Sequence, residues 1–307
     1  MARCSSTRAK LLTVARAGLG AALTRPSGLC VVNRLYRVLS SAQKRRFFYA
    51  FLDSLYPVEG DWIVDFAGRR ITLPLQREFT LSWCAAVGFH GYDPEIHAFY
   101  EQLMRRTPPR VFFDVGASYG LHSLRFLVHG VRVVSFEPNA ACHGWFRACC
   151  RRNGVEPEIH AVAIADKSGT AELAVPDEAA YEATIVSEVK QRWVGRRHVR
   201  TITVPQIALD DFVTEHGIRP DLLKVDTEGS ERLVLTGARR VLESVRPLVV
   251  FESWPGSPDR DAIFALLESI DYRIERIALP PRPSAMSQME LRDAPGMNFL
   301  ARPSVRA

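Results

Sequence analysis

At 307 residues the chain can hold one large domain with appendages, and its 47% hydrophobic and 24% charged content exclude a disordered or low-complexity protein. No run of about 18 apolar residues occurs, so the sequence predicts no membrane-spanning helix. The net charge of +6 is unevenly placed: residues 1–52 hold ten Lys or Arg and no acid, which leaves 30 basic and 34 acidic residues, a balance of −4, for the rest.

The first segment, 1–52, therefore reads as a basic N-terminal arm with apolar runs (LLTVARAGLGAAL, VVNRLYRVL, FFYAFL). Arg16 interrupts the first run, which makes it a poor signal-peptide core, while the acid-poor, Arg- and Ser-containing start has features of a transit peptide. A helical arm packed on the body is the plainest expectation, and peripheral contact with an anionic membrane is the next. A nucleic-acid arm is disfavoured, because a mildly acidic body would not extend the footprint. Six cysteines (Cys4, Cys30, Cys84, Cys142, Cys149, Cys150) show no C-x-x-C and no ligand spacing. They argue for a reducing, cytoplasmic setting and against a metal site or disulfide framework.

Residues 53–109 read as a small cap. WIVDF and RRITLPL form a hairpin with Ala67-Gly68 at the turn, and Pro94 to Arg106 forms a helix with Ile96, Phe99, Tyr100 and Leu103 on one face. Pro108-Pro109 marks a boundary. From there to residue 307 the pattern alternates. Strands are expected at 111–115, 132–136, 158–163, 222–226, 247–252 and 272–278, and helices at 120–129, 140–153, 206–217, 230–243 and 259–269. This is an α/β fold with a doubly wound, mostly parallel sheet covered on both faces. TAELAV and RTITV, between Thr170 and Val204, break the rhythm as an insertion placed for a substrate lid or docking surface, with a surface excursion without a role as the plain alternative. Pro280 to Pro283 is a proline-rich break, and Asn298 to Ala301 adds a last edge strand.

Three segments carry chemistry. In VFFDVGASYGLHSLRF an apolar strand ends at Asp114, followed by a turn opened by Gly116 and closed by Gly120 and then by a helix. The lettering is G-x-x-x-G rather than the G-x-G-x-x-G of a dinucleotide site. An acid aimed into such a turn repels a pyrophosphate and attracts the ammonium and sulfonium of S-adenosylmethionine (SAM). VVSFEPN places Glu137 at the next strand end, 23 residues on, where a carboxylate can accept both ribose hydroxyls. LLKVDTEGSERLVLTGA packs Lys224, Asp226, Glu228 and Glu231 into eight residues at a buried strand end, and Lys224 lies inside the strand. A helix N-terminus accounts for Glu228 and Glu231 but not for Lys224.

DVGASYG, SFEPN, AIADKSGTAEL, IALDDF, LLKVDTEGSE and VVFES together resemble the FkbM family of SAM-dependent methyltransferases, over roughly residues 110–279. The resemblance implies a class I, Rossmann-like methyltransferase fold and SAM as cofactor. It also implies O-methylation of a hydroxyl on a small molecule, glycan or lipid. Its cofactor set would be Asp114, Gly116, Ser118, Gly120, Glu137, Asn139, Ala163 and Asp166, with Ser118 standing where the family turn usually carries Asn. Asp226, Glu228 and Glu252 are candidates for the base or for orienting the acceptor, with Lys224 neutralising charge beside them. No N/D-P-P-Y/F follows the fourth strand and no Asp-Asn pair follows the fifth, which weighs against N-methylation and against a metal-assisted site. His122, His143 and His160 stand singly and read as structural. The rival expectations are a catalytically inactive SAM-fold binding module and, disfavoured by the missing third glycine, an NAD-dependent oxidoreductase.

Overall fold

The computed structural model describes residues 15–51, 54–177, 182–193, 198–278 and 284–304. The first 14 residues and the proline-rich break lie outside them. Three helices come first: α1 (residues 15–23), α2 (Pro26–Arg37) and α3 (Ser41–Phe51). A hairpin follows, β1 (Gly60–Phe66) and β2 (Arg69–Leu75). Its two turn residues, Ala67 and Gly68, both have positive φ (46° and 82°). That is the two-residue turn whose twist matches the strands. Trp62, Val64 and Phe66 alternate inward from one strand, and Ile71, Leu73 and Leu75 from the other. Helices α4 (Leu81–Gly91) and α5 (Pro94–Arg106) complete this region. Helix α4 has no sequence-legible stripe, because it is buried on nearly all sides, from Trp83 to Gly91.

The main sheet has seven strands. In chain order they are β3 (Val111–Val115), β4 (Arg132–Phe136), β5 (Glu158–His160), β9 (Leu222–Val225), β10 (Leu248–Glu252), β11 (Tyr272–Arg276) and β12 (Asn298–Pro303). Their spatial order is β11-β12-β10-β9-β3-β4-β5. Strands β3, β4, β5, β9 and β10 run parallel, and β12 is antiparallel to both of its neighbours. Order reverses around β3, with β4 on one side and β9 on the other, so the ligand crevice opens past the carboxyl ends of those strands. Helices α6 (Leu121–Leu127) and α7 (Ala140–Arg152) cover one face. The other face carries α9 (Leu209–His216), α10 (Glu231–Gly237), α11 (Arg239–Ser244) and α12 (Arg260–Ser269). A last short helix, α13 (Gln288–Asp293), packs on α12.

The structure departs from the expected elements in four places. The segment 158–163 is not one strand: β5 ends at His160, and β6 (Ala163–Ala165) pairs instead with β8 (Val199–Ala208). With β7 (Gly169–Pro176) these form a separate three-stranded sheet, and α8 (Ser187–Trp193) lies between β7 and β8 in the chain. The helix expected from 206 starts at Leu209, because β8 runs on to Ala208. The helix expected over 230–243 breaks at Ala238, next to Gly237, where a Cβ would stand 2.0 Å from the Ala165 carbonyl oxygen. The last strand is interior rather than an edge, hydrogen-bonded to β10 and β11 on its two sides.

One apolar cluster runs without a break from the N-terminal helices (Leu23, Leu29, Tyr36, Phe48) through the hairpin to the α6–α7 face of the sheet (Phe112, Phe126, Val250). Inside it sits a basic group with little counter-charge. The rings of His90 and His97 are 4.1 Å apart, and the Arg125 guanidinium stacks 3.9 Å from the Phe89 ring. Burial, then the charges of Arg125 and Lys44, push His97 down to about 3, and burial likewise holds His90 and His122 well below the ordinary histidine range. An unfolded histidine titrates near 6.5. Between about pH 6.5 and 3 the unfolded chain therefore takes up protons that the folded chain refuses. Each such group gives its full stabilisation above 6.5 and loses about 1.4 kcal/mol per pH unit below it. The raised carboxylates of the cavity described below bind protons with the opposite sign, so the expected signal is a difference. Replacing His90 and His97 by Phe should raise the melting temperature relative to wild type more at pH 5 than at pH 7.5. Parallel melting curves at the two pH values would refute this.

Candidate active site

A cavity of about 530 Å³ opens at the carboxyl ends of β3, β4, β9 and β10. One end is walled by the β3–α6 turn, by Phe136, Glu137 and Pro138 after β4, and by Val162 to Ile164. The other end is walled by Lys224, Asp226, Glu228 and Glu252, with Asp93, Glu182 and Trp254 beside them. Its apolar side comes from Phe48 of α3, from Leu81, Cys84 and Gly88 of α4, and from Tyr92.

The turn is held by Gly116 and Ala117, whose N–H groups both donate to the Phe136 carbonyl (3.0 and 3.1 Å). Gly116 has φ +76°, and a Cβ there would lie 1.7 Å from the carbonyl oxygen of Asp226. The backbone of the turn thus lies directly against the end of β9, a contact only glycine permits. Gly120, at φ +73°, caps α6 and presses on Phe146, which stands where its Cβ would go. The Ser118 N–H donates to Glu137 Oε2 and the Asn139 N–H to Oε1, each at 2.8 Å. A carboxylate has about four lone-pair sites, so two remain for a ligand's hydroxyls. Burial raises Glu137 to about 7 against the pull of those two donors.

Beneath the turn lies a buried polar row. Ser135, Asp114 and Lys224 occupy paired positions on β4, β3 and β9. Ser123 of α6 donates to Asp114 Oδ2 at 2.6 Å and meets the Ser135 hydroxyl at 2.9 Å. The Lys224 ammonium is 3.8 Å from Asp114 Oδ1 and donates to Asp226 Oδ2 at 3.0 Å. Burial alone would lower Lys224; the Asp226 and Asp114 carboxylates override it and leave it raised. Burial raises Asp114, with Lys224 and Ser123 opposing.

Here the geometry corrects an expectation. Asp114 does not point into the turn. It shares the face of β3 with Phe112, is fully buried, and lies under the cavity floor rather than in its wall. Gly116, Ser118, Glu137, Ala163, Lys224, Asp226, Glu228 and Glu252 do meet around the cavity. Asn139 sits behind Glu137, buried, with its side chain accepting from the Ala141 N–H as the N-cap of α7. Asp166 stands exposed outside the wall.

The loop after β9 is shaped by Glu231. Its Oε1 accepts from the N–H groups of Thr227 (2.9 Å) and Gly229 (3.1 Å) and from the Thr227 hydroxyl (3.2 Å). Glu228 is held at φ +55°, and its carbonyl accepts from the Thr184 hydroxyl across the insertion. Glu252 Oε2 accepts from Trp254 Nε1 at 3.2 Å. Burial, then the charges of Asp226 and Glu182, push Glu228 well above the usual carboxylate range. Burial, then Asp226 and Glu228, do the same to Glu252. Oxygens of Asp226, Glu231 and Glu252 lie within 4.8 Å of one another, and the Lys224 ammonium supplies counter-charge there. Burial, then Glu95 and Asp226, raise Asp93 to about 7. Sequence reasoning missed Asp93, Glu182, Tyr92, Trp254 and Phe48. Only Trp254, next to the FES motif, carried a local signal.

The site fits SAM. Glu137 keeps free lone pairs at the wall, the glycine turn brings backbone close to the cavity, and carboxylates collect at the far end to face a cation. Gly116→Ala should cost at least 1–3 kcal/mol, the scale for a strained left-handed residue or an overpacked contact. Denaturant titration should show that loss, and unchanged stability would contradict the close approach.

The profile of the Methyltransferase FkbM domain matches residues 114–274. Methyltransferase sdnD of Sordaria araneosa is 29% identical over 207 residues, covering 58% of this chain and 80% of that protein. The 31-O-demethyl-FK506 methyltransferase FkbM of Streptomyces tacrolimicus is 31% identical over 160 residues, covering 42% of this chain and 60% of that protein. Among solved structures, Methyltransferase FkbM from Methylobacillus flagellatus KT aligns at 19% identity and a TM-score of 0.41, covering 72% of this chain and 54% of that one. The matched domain, residues 114–274, takes up more than half of the 307 residues and contains the turn, Glu137 and the whole Lys224–Glu252 cluster, so the chain belongs to the FkbM family of SAM-dependent methyltransferases.

Proposed function

We propose that the protein methylates a hydroxyl of a small molecule, sugar or lipid, with a carboxylate of the β9–β10 cluster as the base. The observation that carries this reading is the convergence of Asp226, Glu228 and Glu252 on the cavity that the glycine turn and Glu137 also line. When bound, SAM supplies an electrophilic methyl group. The chain must then hold an acceptor oxygen in line and take its proton.

The three carboxylates are unequal. Asp226 is engaged by Lys224 and Glu252 by Trp254. Among the described residues the Glu228 carboxylate accepts no hydrogen bond, its main-chain carbonyl alone being held by Thr184, and burial with the charges of Asp226 and Glu182 favours its protonated form. A carboxylate with a raised pKa is the stronger proton acceptor once ionised, so Glu228 takes the role of base, and Asp226 and Glu252 orient the acceptor. Lys224 offsets negative charge that develops on the acceptor oxygen.

Glu137→Gln keeps the shape of the side chain but sets an amide N–H₂ against one of its two backbone donors. SAM affinity measured by calorimetry should fall by about 1.5–3 kcal/mol, the worth of hydrogen bonds to a charged group. Unchanged affinity in a folded variant would remove Glu137 from the cofactor site.

The chemistry is tested by incubating the protein with methyl-labelled SAM and host extract and identifying the labelled product. Glu228→Gln should lower turnover by about 10²–10⁴, the usual scale of general base catalysis, with SAM affinity nearly unchanged. In wild type the acidic limb of kcat/KM should lie well above the ordinary carboxylate range, rising with pH as Glu228 loses its proton. Near-normal turnover in Glu228→Gln and Asp226→Asn would move the role to Glu252. Tight SAM binding with no label passed to any acceptor would favour an inactive binding module.

A further inference from the structure

The N-terminal helices leave an apolar stripe facing outward. Of the seven large hydrophobic side chains exposed among the described residues, six lie between positions 31 and 92. Three of them, Val31, Leu35 and Val38, are spaced by four and three residues on or just after α2, with exposures of 57%, 60% and 80%. The helix cannot rotate to hide them. Asn33 exchanges two hydrogen bonds with the Ile63 backbone (2.9 and 3.0 Å), and the Tyr36 hydroxyl donates to the Val87 carbonyl at 2.9 Å. Those two side chains, with Leu29, fix the inward face, so the stripe points away from the body by construction.

The charge around the stripe selects what covers it. Arg34 is exposed beside it, Arg45 and Arg46 are exposed on α3, and no acid occurs in residues 1–52. A second copy docking symmetrically would bring these cations against themselves, whereas anionic lipid headgroups neutralise them while the acyl boundary takes the stripe. No helix among the described residues is long and apolar enough to cross a membrane, so the arrangement suits a helix lying in the interface plane. Tyr49 and Tyr92 are half-exposed rings at 5.3 and 5.8 Å from Phe48, which lines the cavity. Amphipathic rings of this kind favour a lipid–water boundary.

We propose that the outer face of α2 and α3 docks on an anionic lipid surface through Val31, Leu35 and Val38, with Arg34, Arg45 and Arg46 binding the headgroups. Flotation of the full-length chain with vesicles of phosphatidylcholine alone, or of phosphatidylcholine with phosphatidylglycerol, tests this without any methyl transfer, so its outcome is separate from that of the enzymatic reading. The chain should float with the anionic vesicles and not the neutral ones. Binding should fade at about 1 M salt, where the Debye length is about 3 Å. Val31→Glu with Leu35→Glu, and separately the triple change of Arg34, Arg45 and Arg46 to Glu, should each weaken partitioning about tenfold or more. Their melting temperatures should match wild type, since all five side chains are exposed. Equal flotation with neutral vesicles, no flotation, or wild-type flotation of both variants would overturn the proposal. So would a dimer in light scattering that the Val31/Leu35 variant dissociates, which would assign the stripe to a second copy.

Discussion

A buried ammonium organises this molecule. Lys224 sits in the central strand β9 at 2% exposure, where an unpaired charge would cost several kcal/mol. It is tolerated because two carboxylates reach it from opposite sides of the floor, Asp114 from below and Asp226 from the cavity. The pairing across β4, β3 and β9 fixes that meeting, since Ser135, Asp114 and Lys224 hold matched positions on parallel strands. A register slip of one residue on any of them would turn its polar side chain to the opposite face, into apolar packing. The same row therefore specifies the sheet and sets the electrostatics of the cavity.

Above that floor the loop after β9 stores strain and contains it. Glu228 holds a backbone conformation that costs on the order of 1–3 kcal/mol for a residue other than glycine. Glu231 offsets it by accepting two backbone N–H groups and a hydroxyl of the same loop, and Thr184 ties the Glu228 carbonyl to the insertion. Two acids only three positions apart thus differ in task. One is spent on backbone donors, while the other is left with an unsatisfied carboxylate facing the cavity, repelled by its neighbours. The insertion is part of this arrangement, because it supplies Glu182 to the wall as well as the Thr184 hydrogen bond.

Much of this was legible in the letters. The strand–glycine turn–helix unit and the excess of charge at LKVDTEGSE follow from local rules, and both stand at the cavity. What the letters did not carry is direction and three-dimensional neighbourhood. Asp114 lies one residue before the carboxyl end of its strand, yet strand parity sends its side chain under the floor toward Ser123, and no spacing argument tells which face a helix will cover. The segment 158–163 reads as one strand, but the chain changes sheets after His160 because β8 offers β6 a second partner. Asp93 lies some 130 residues from Asp226 in sequence and joins it only through tertiary packing. Helix α4 escaped because a helix buried all round shows no stripe.

The N-terminal segment shows how composition and pattern answer different questions. Its acid-free charge marks it as something that meets solvent or a surface, and Val31, Leu35 and Val38 do face outward. Its other apolar residues are core. Leu23, Leu29, Tyr36 and Phe48 are buried in the cluster that continues into the sheet. Phe48 packs so tightly on α4 that a Cβ on Gly91 would stand 2.5 Å from it and one on Gly88 3.3 Å. Phe48 is also a wall of the cavity, opposite the carboxylates that the matched methyltransferase domain contributes. The cavity wall is therefore shared between strand ends inside the matched residues 114–274 and helices that lie before them. The outward stripe belongs to α2, whereas the apolar side of the cavity comes from Phe48 of α3 and from α4, so the two surfaces are carried by neighbouring but different helices.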